Sequence, residues 1–231
     1  MVVAPVTATP TVAISPDSLM IPSGGHVVFQ GVTWEQFEAI ALTFGYTSGY
    51  RLAYDNEKLE IMVPFPEHEY FKSSLSDLVK DIADELDMDY ACYGSTTWRQ
   101  HLKKMGVEAD DCFYIQNEAM VRGRTDLDTS LKTDPPPDLV LEIDVTSKSL
   151  ARFPIYAQLG VPEIWRYDEG KLEIDELVKE GIYQQRETSV ALPKIPASEL
   201  PDLIEQHRSQ GQRAIRKAVR SWAAQFRQSD E

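Results

Sequence analysis

The sequence predicts an α/β protein built around a mixed sheet, and three observations carry that prediction. Residues 139–145, LVLEIDV, form a nearly continuous apolar run broken by two acids, the pattern of a strand buried on both faces. Residues 67–86 place Phe71, Leu75, Leu78, Val79, Ile82 and Leu86 at helical spacing. Around these two segments the chain reads helix, three strands, helix, strand.

Residues 1–25 lack a basic start and a continuous apolar stretch, and proline interrupts them repeatedly. They read as an extended arm, neither signal peptide nor membrane span. His26 to Gln30 is a strand candidate, and Thr33 caps a helix running to about Phe44. Residues 49–54 and 58–63 flank Asp55-Asn56-Glu57 as a hairpin, after which Pro64 and Pro66 punctuate the chain. The helix 67–86 precedes a strand near 88–98 and a basic turn holding Arg99, His101, Lys103 and Lys104. Asp111 to Gln116 is a strand, and the polar stretch 117–137, ending in three prolines, is a long loop. After the apolar strand, Ser149 caps a helix with Pro154 in its first turn and Gly160 at its end. Strands at 163–167, 171–178 and 182–190 follow, and the chain is helical from about Pro201. This organisation gives one domain over 26–195 with a helical extension over 196–231.

The 231 residues are 42% hydrophobic, enough for a sizeable core without disulfides. The two cysteines, Cys92 and Cys112, stand in different apolar segments and read as buried free thiols of a reducing, cytoplasmic compartment. No stretch is long and apolar enough to cross a bilayer, and no Cys/His cluster has zinc spacing. The net charge of −14 argues against tight binding of a polyanion, unless acids gather around a cation that reverses the local sign.

Acids inside an apolar strand need a reason, because an unpaired buried carboxylate is costly. Glu142 and Asp144 stand two apart on one face, roughly 6–7 Å from each other. Asp138 shares that face, but roughly 13 Å from Glu142, too far for joint ligation of one ion. Asp110 and Asp111 open the preceding strand, which can pair antiparallel with this one, so they are the natural second ligands. A carboxylate from each of two adjacent strands, completed by water, suits Mg2+ or Mn2+. The plainer alternative is that these acids pair with Arg or Lys, or mark strand ends.

The run GVEADDCFYIQNEAM…DPPPDLVLEIDVTSKSLARFPIYAQLGVPEIWRYD resembles the Uma-type family of restriction endonucleases, a branch of the PD-(D/E)XK nuclease superfamily. The resemblance spans roughly residues 30–190 and is densest over 106–168. It implies a restriction-endonuclease-like core and metal-dependent phosphodiester hydrolysis of nucleic acid. It also implies that Asp110 and Glu142 are the metal-binding acids, with a backbone carbonyl near Ile143, and that Glu69, after His68, is an acid of the preceding helix. Asp144 stands where the motif has lysine; Arg152 occupies the place from which related chains supply it, and Lys148 is a substitute on the same connection. Arginine can supply the positive charge but not act as a base.

From 206 to 229 the basic residues include Arg213, Arg216, Lys217, Arg220 and Arg227 on one side of a helical wheel, with Ile215, Val219, Trp222 and Phe226 on the other. Arg213, Lys217 and Arg220 could track a phosphate backbone; alternatively the helix packs on the domain or on a second copy as a homodimer. Two functions therefore compete: a metal-dependent nuclease, and a catalytically silent binding or assembly module on the same scaffold.

Overall fold

The computed structural model describes residues 14–44, 49–100, 103–128, 133–143, 151–179 and 181–227. The chain enters through a 3-10 turn at Pro16–Ser18, and Ile14, Leu19 and Ile21 pack against the first core cluster, so this part of the expected arm is laid on the domain. Strand β1 (His26–Gln30) leads into helix α1 (Trp34–Phe44). There the Thr33 hydroxyl accepts from the Gln36 N–H at 3.3 Å, and the Gln36 side chain accepts from the Thr33 N–H at 2.8 Å, a reciprocal cap. Strands β2 (Arg51–Asp55) and β3 (Lys58–Met62) form the expected hairpin. Its turn places both Asn56 and Glu57 at positive φ, matching the right-handed twist of the flanking strands.

Helix α2 (Pro66–Glu85) opens on proline at its first position, where a missing N–H costs nothing. The expected strand near 88–98 is instead two short ones, β4 (Ala91–Cys92) and β5 (Thr97–Gln100), which belong to different sheets. Residues 103–108, read only as the end of a turn, contain strand β6 (Met105–Glu108). Its Gly106 lies under the Phe37 ring, where an added Cβ would come within 2.8 Å of ring carbons. Strand β7 (Asp111–Tyr114) follows after only Ala109 and Asp110, and the long loop beyond it holds a short helix α3 (Glu118–Val121). Strand β8 (Leu139–Ile143) is buried at every position, as its apolar run requires. Helix α4 (Phe153–Leu159) ends on Gly160 at φ 82°, the left-handed cap read from the sequence. Strands β9 (Glu163–Asp168), β10 (Lys171–Lys179) and β11 (Ile182–Arg186) complete the sheet.

The strands form two sheets, β1-β3-β2-β6-β5 and β11-β10-β9-β8-β7-β4. Within the second, β4, β7 and β8 are antiparallel and β9 is parallel to β8 through α4. The order α2, three strands, α4, strand is thus present, with β5 and β6 diverted into the other sheet. Helix α1 covers one face of the five-stranded sheet through Phe37, Ile40 and Phe44 on Leu52, Tyr54, Leu59 and Ile61. Helix α2 covers the six-stranded sheet on the Leu139, Leu141 and Ile143 face. Trp34, Trp98 and Trp165 are all core residues.

The C-terminal segment is not one helix. Helix α5 (Leu200–His207) and helix α6 (Gln212–Ala223) are separated at Gly211, φ 89°. Ile215, Val219 and Ala223 of α6 bury against the α2 cluster. Alongside, Arg216 donates to Asp81 at 2.7 and 2.9 Å, Arg220 reaches Asp81 at 2.5 Å and Asp84 at 3.3 Å, and Arg227 reaches Glu85 at 2.5 Å. Cys112 is buried, whereas Cys92 lies at the surface, contrary to its expected burial, because β4 is an edge strand. Among the described residues no helix is long and apolar enough to cross a membrane.

Candidate functional site

The passage from β6 to β7 carries the chain from one sheet to the other, and Asp110 stands at that crossing. The register between β7 and β8 pairs Asp111 with Leu141, which brings Asp110 opposite Glu142 in the same alternation. Glu142 shares its face of β8 with Val140, turned toward α4 and the five-stranded sheet. That sheet turns the face away from α1 toward them, including Arg51 on β2 and Glu60 on β3.

A cluster of charge results, almost wholly withdrawn from solvent. Arg51, Glu60, His68, Glu108, Asp110, Glu142 and Arg152 are all buried, while the Glu69 side chain is 45% exposed and links the cluster to water. Asp110 Oδ2 accepts from the Ile143 N–H at 2.8 Å, and its Oδ1 lies 3.1 Å from His68 Nε2 and 3.8 Å from Arg51 Nε. The Ile143 group meeting Asp110 is thus an N–H. Arg51 spreads over three acids, reaching Glu69 at 3.2 Å and Glu108 at 3.4 Å besides Asp110. Glu142 accepts from the Tyr156 hydroxyl and from Arg152 Nη1 at 3.3–3.4 Å. Arg152 Nη1 also donates to the Glu108 carbonyl at 3.1 Å, and its Nη2 lies 4.0 Å from Glu60.

The electrostatics follow from burial. Desolvation pushes the Glu108 carboxyl up to about 7, against the pull of Arg51 and Arg152. Burial also opposes the charge of Arg152, but Glu142, Tyr156, Asp110 and Glu60 outweigh it and hold the guanidinium protonated above its ordinary range. Tyr156 is raised by burial first and by Glu142 second, so its hydroxyl stays a donor. Among the described residues, Glu60, Glu69, Glu108, Asp110 and Glu142 thus gather around the guanidiniums of Arg51 and Arg152 in a poorly solvated space.

The structure brings Asp110, Glu142, Arg152 and Glu69 together. It does not bring Asp111 or Asp138 to them. Asp111, on the opposite face of β7, accepts from Cys92 Sγ at 3.2 Å and the Cys112 N–H at 2.8 Å. Asp138 accepts from the N–H groups of Ile115 and Asn117 at 2.8 and 2.9 Å, fixing the turn into α3. Asp144 and Lys148 lie outside the described residues. Arg220, expected to touch phosphate, spends its guanidinium on Asp81, Asp84 and Glu85, while Arg213 and Lys217 are exposed. Sequence reasoning missed Arg51, Glu60 and Glu108, although Arg51 and Glu60 are charged residues in apolar strands just as Glu142 is.

The fold and this cluster define the class: a mixed α/β protein of two sheets, carrying buried acids where the sheets meet. The chain belongs to the Uma2 family, described as "Putative restriction endonuclease", whose model matches residues 34–207. Among solved structures it is similar to one described as a "putative nuclease belonging to DUF820" from Anabaena variabilis, at 11% identity. That match covers 83% of this chain and 99% of that one, with a TM-score of 0.47. Comparison with curated proteins gives no match.

An all-oxygen donor set fits a hard divalent cation better than a soft one. Among the described residues no three Asp, Glu, His or Cys side chains are gathered as a ready-made cage. Asp110 and Glu142 are the two facing carboxylates that could hold such an ion together with waters, a donor set of the kind magnesium takes.

Proposed function

We propose that the chain is a metal-dependent phosphodiesterase acting on nucleic acid. The observation that carries the reading is the gathering of buried carboxyl groups around the facing positions Asp110 and Glu142, in a chain whose family is described as a restriction endonuclease family. Asp110 and Glu142 would hold Mg2+ or Mn2+, which when bound polarises a phosphate oxygen and lowers the pKa of a bound water. His68 and the Ile143 N–H orient Asp110, and Tyr156 orients Glu142. Arg152 supplies the positive charge that the missing lysine would bring, for the negative charge developing at phosphorus. Glu69, 45% exposed, gives the cluster a solvent-reaching side, where substrate would approach. Exposed Arg213 and Lys217 offer phosphate contacts on α6.

The test is cleavage of plasmid and short duplex DNA with Mg2+ or Mn2+ by wild type, Glu142→Ala and Asp110→Asn. Both substitutions should lower the rate by about a hundredfold or more, as loss of a metal-held stabilisation worth several kcal/mol requires. Equal traces from all three proteins would reject the enzyme and favour an assembly module on the same scaffold.

A further inference from the structure

Resting on the reading that the chain acts on nucleic acid, we propose that Phe65 is a stacking platform for an unpaired base of the substrate, so that single-stranded nucleic acid is the preferred form. Phe65 stands immediately before α2 and is 40% exposed. A single exposed apolar side chain is ordinary on any surface, but the setting of this one is not. Its ring is seated on Gly24, where an added Cβ would fall within 2.0–2.5 Å of three ring carbons, and Gly24 holds φ 75°. The Gly24 N–H donates to the Val63 carbonyl at 2.7 Å, and the Ser23 hydroxyl donates to the Pro64 carbonyl at 3.1 Å. The segment beneath the ring is thus tied to the residues that lead into it. A ring held in this way loses little freedom when a partner stacks on it.

The ring also adjoins the acid cluster. The Glu69 N–H donates to the Phe65 carbonyl at 3.1 Å, and the exposed Glu69 carboxylate pairs with Arg51 at 3.2 Å. From Gly24 the chain runs directly into β1. There Val27 and Phe29 pack on the α1 cluster, so the exposed His26, Val28 and Gln30 face the other way. The register sets Val28 opposite Glu60, and His26 opposite Met62, which faces Arg51 in turn. The sheet face that holds the buried charges therefore runs out to an open margin along β1, with Phe65 at its end. An apolar and aromatic margin suits a chain of charge −14, for which neutralising phosphates supplies little affinity. Stacking on an aromatic ring is available to every base and does not depend on that charge. Only a base out of its helix presents the face to be stacked, and a duplex must first be unstacked to offer one.

Anisotropy of a labelled adenine-rich single strand, and of the same strand annealed to its complement, tests this with the full-length chain in Ca2+. The single strand should bind about tenfold more tightly than the duplex. Phe65→Ala should weaken single-strand binding about tenfold, the scale of one base–aromatic stack, and Phe65→Trp should retain it. Phe65→Leu, apolar without a ring, should behave as the alanine variant does. On a wholly abasic strand Phe65→Ala should bind no more weakly than wild type, a result that a merely structural role for the ring would not give. Where Phe65→Ala does not fold, the ring protons of Phe65 are followed in wild type: the intact strand should shift them upfield and the abasic strand should not. Equal affinity for strand and duplex, an alanine loss that persists on the abasic strand, leucine serving as well as phenylalanine, or ring protons unmoved by the intact strand overturns the proposal. Wild type binding neither form takes down the nucleic-acid reading as well. Single-strand binding without Mg2+-dependent cleavage takes down the enzyme and leaves the platform standing.

Discussion

Single buried side chains hold this protein's two sheets in register with each other. Arg51 faces Glu69, Glu108 and Asp110 at once with its side chain only 8% exposed. Its replacement takes a guanidinium away from buried acids, a one-sided loss that is costly in a protein interior. Arg51→Met should lower the unfolding free energy by about 3 kcal/mol or more, read from urea denaturation, since breaking a buried pair from one side has that scale. Adding Glu108→Gln should recover part of the loss, because an acid that burial already pushes to about 7 is removed together with its partner. Residues of this kind were partly legible in the sequence. Glu142 stood out because an acid inside LVLEIDV has no solvent face to turn to. Arg51 and Glu60 did not, because the hairpin's alternation suits a sheet with one wet face, and that face is covered only by a second sheet formed far along the chain.

At the scale of elements, two attachments can be tested separately. Helix α6 is pinned to α2 by Arg216 and Arg220 on Asp81, which is fully buried while both guanidiniums are about two-fifths exposed. Solvent screening reduces such a pair below the worth of a wholly buried one. Asp81→Ala should therefore cost about 1–2 kcal/mol in urea denaturation, and trypsin should cut after Arg208 faster than in wild type. The loop before β8 is held differently. Asp134 accepts from Arg124 at 2.8 and 3.0 Å and from the Asp128 N–H at 2.9 Å. The Arg124 hydrogen bonds, then the Asp128 N–H, hold its carboxyl down to about 2. The unfolded chain takes up a proton near the ordinary value of roughly 4, before the folded chain does, so folding stability falls as pH falls through that interval. The gap in melting temperature between wild type and Asp134→Asn should be constant above about pH 5 and close between about pH 4 and 2. The long periodic elements α1, α2 and β8 were readable from spacing alone. The strands β4, β5 and β6 were not, since two to four residues carry too little periodicity and their pairing is decided by sheets that local sequence does not encode.

For the whole molecule, the proposed function requires a chain of charge −14 to meet a polyanion. The sequence showed a basic C-terminal face, but not that α2 supplies the acids to neutralise part of it, because partners some 135 residues apart in sequence are invisible to a helical wheel. With Arg216, Arg220 and Arg227 committed to α2, the exposed basic residues of α6 that the proposed function would turn to phosphate are Arg213 and Lys217. Binding to duplex DNA should then release few counterions. A protein neutralising Z phosphates shows a slope of about −0.9Z in log affinity against log salt, so a slope shallower than about −4 is expected here. Anisotropy of a labelled duplex, in Ca2+ and at several NaCl concentrations, measures it. The pair Arg213→Ala and Lys217→Ala should flatten the slope by about 2. A steep slope untouched by that pair would mean that another surface carries the DNA, and that α6 serves only to close the α2 side of the fold.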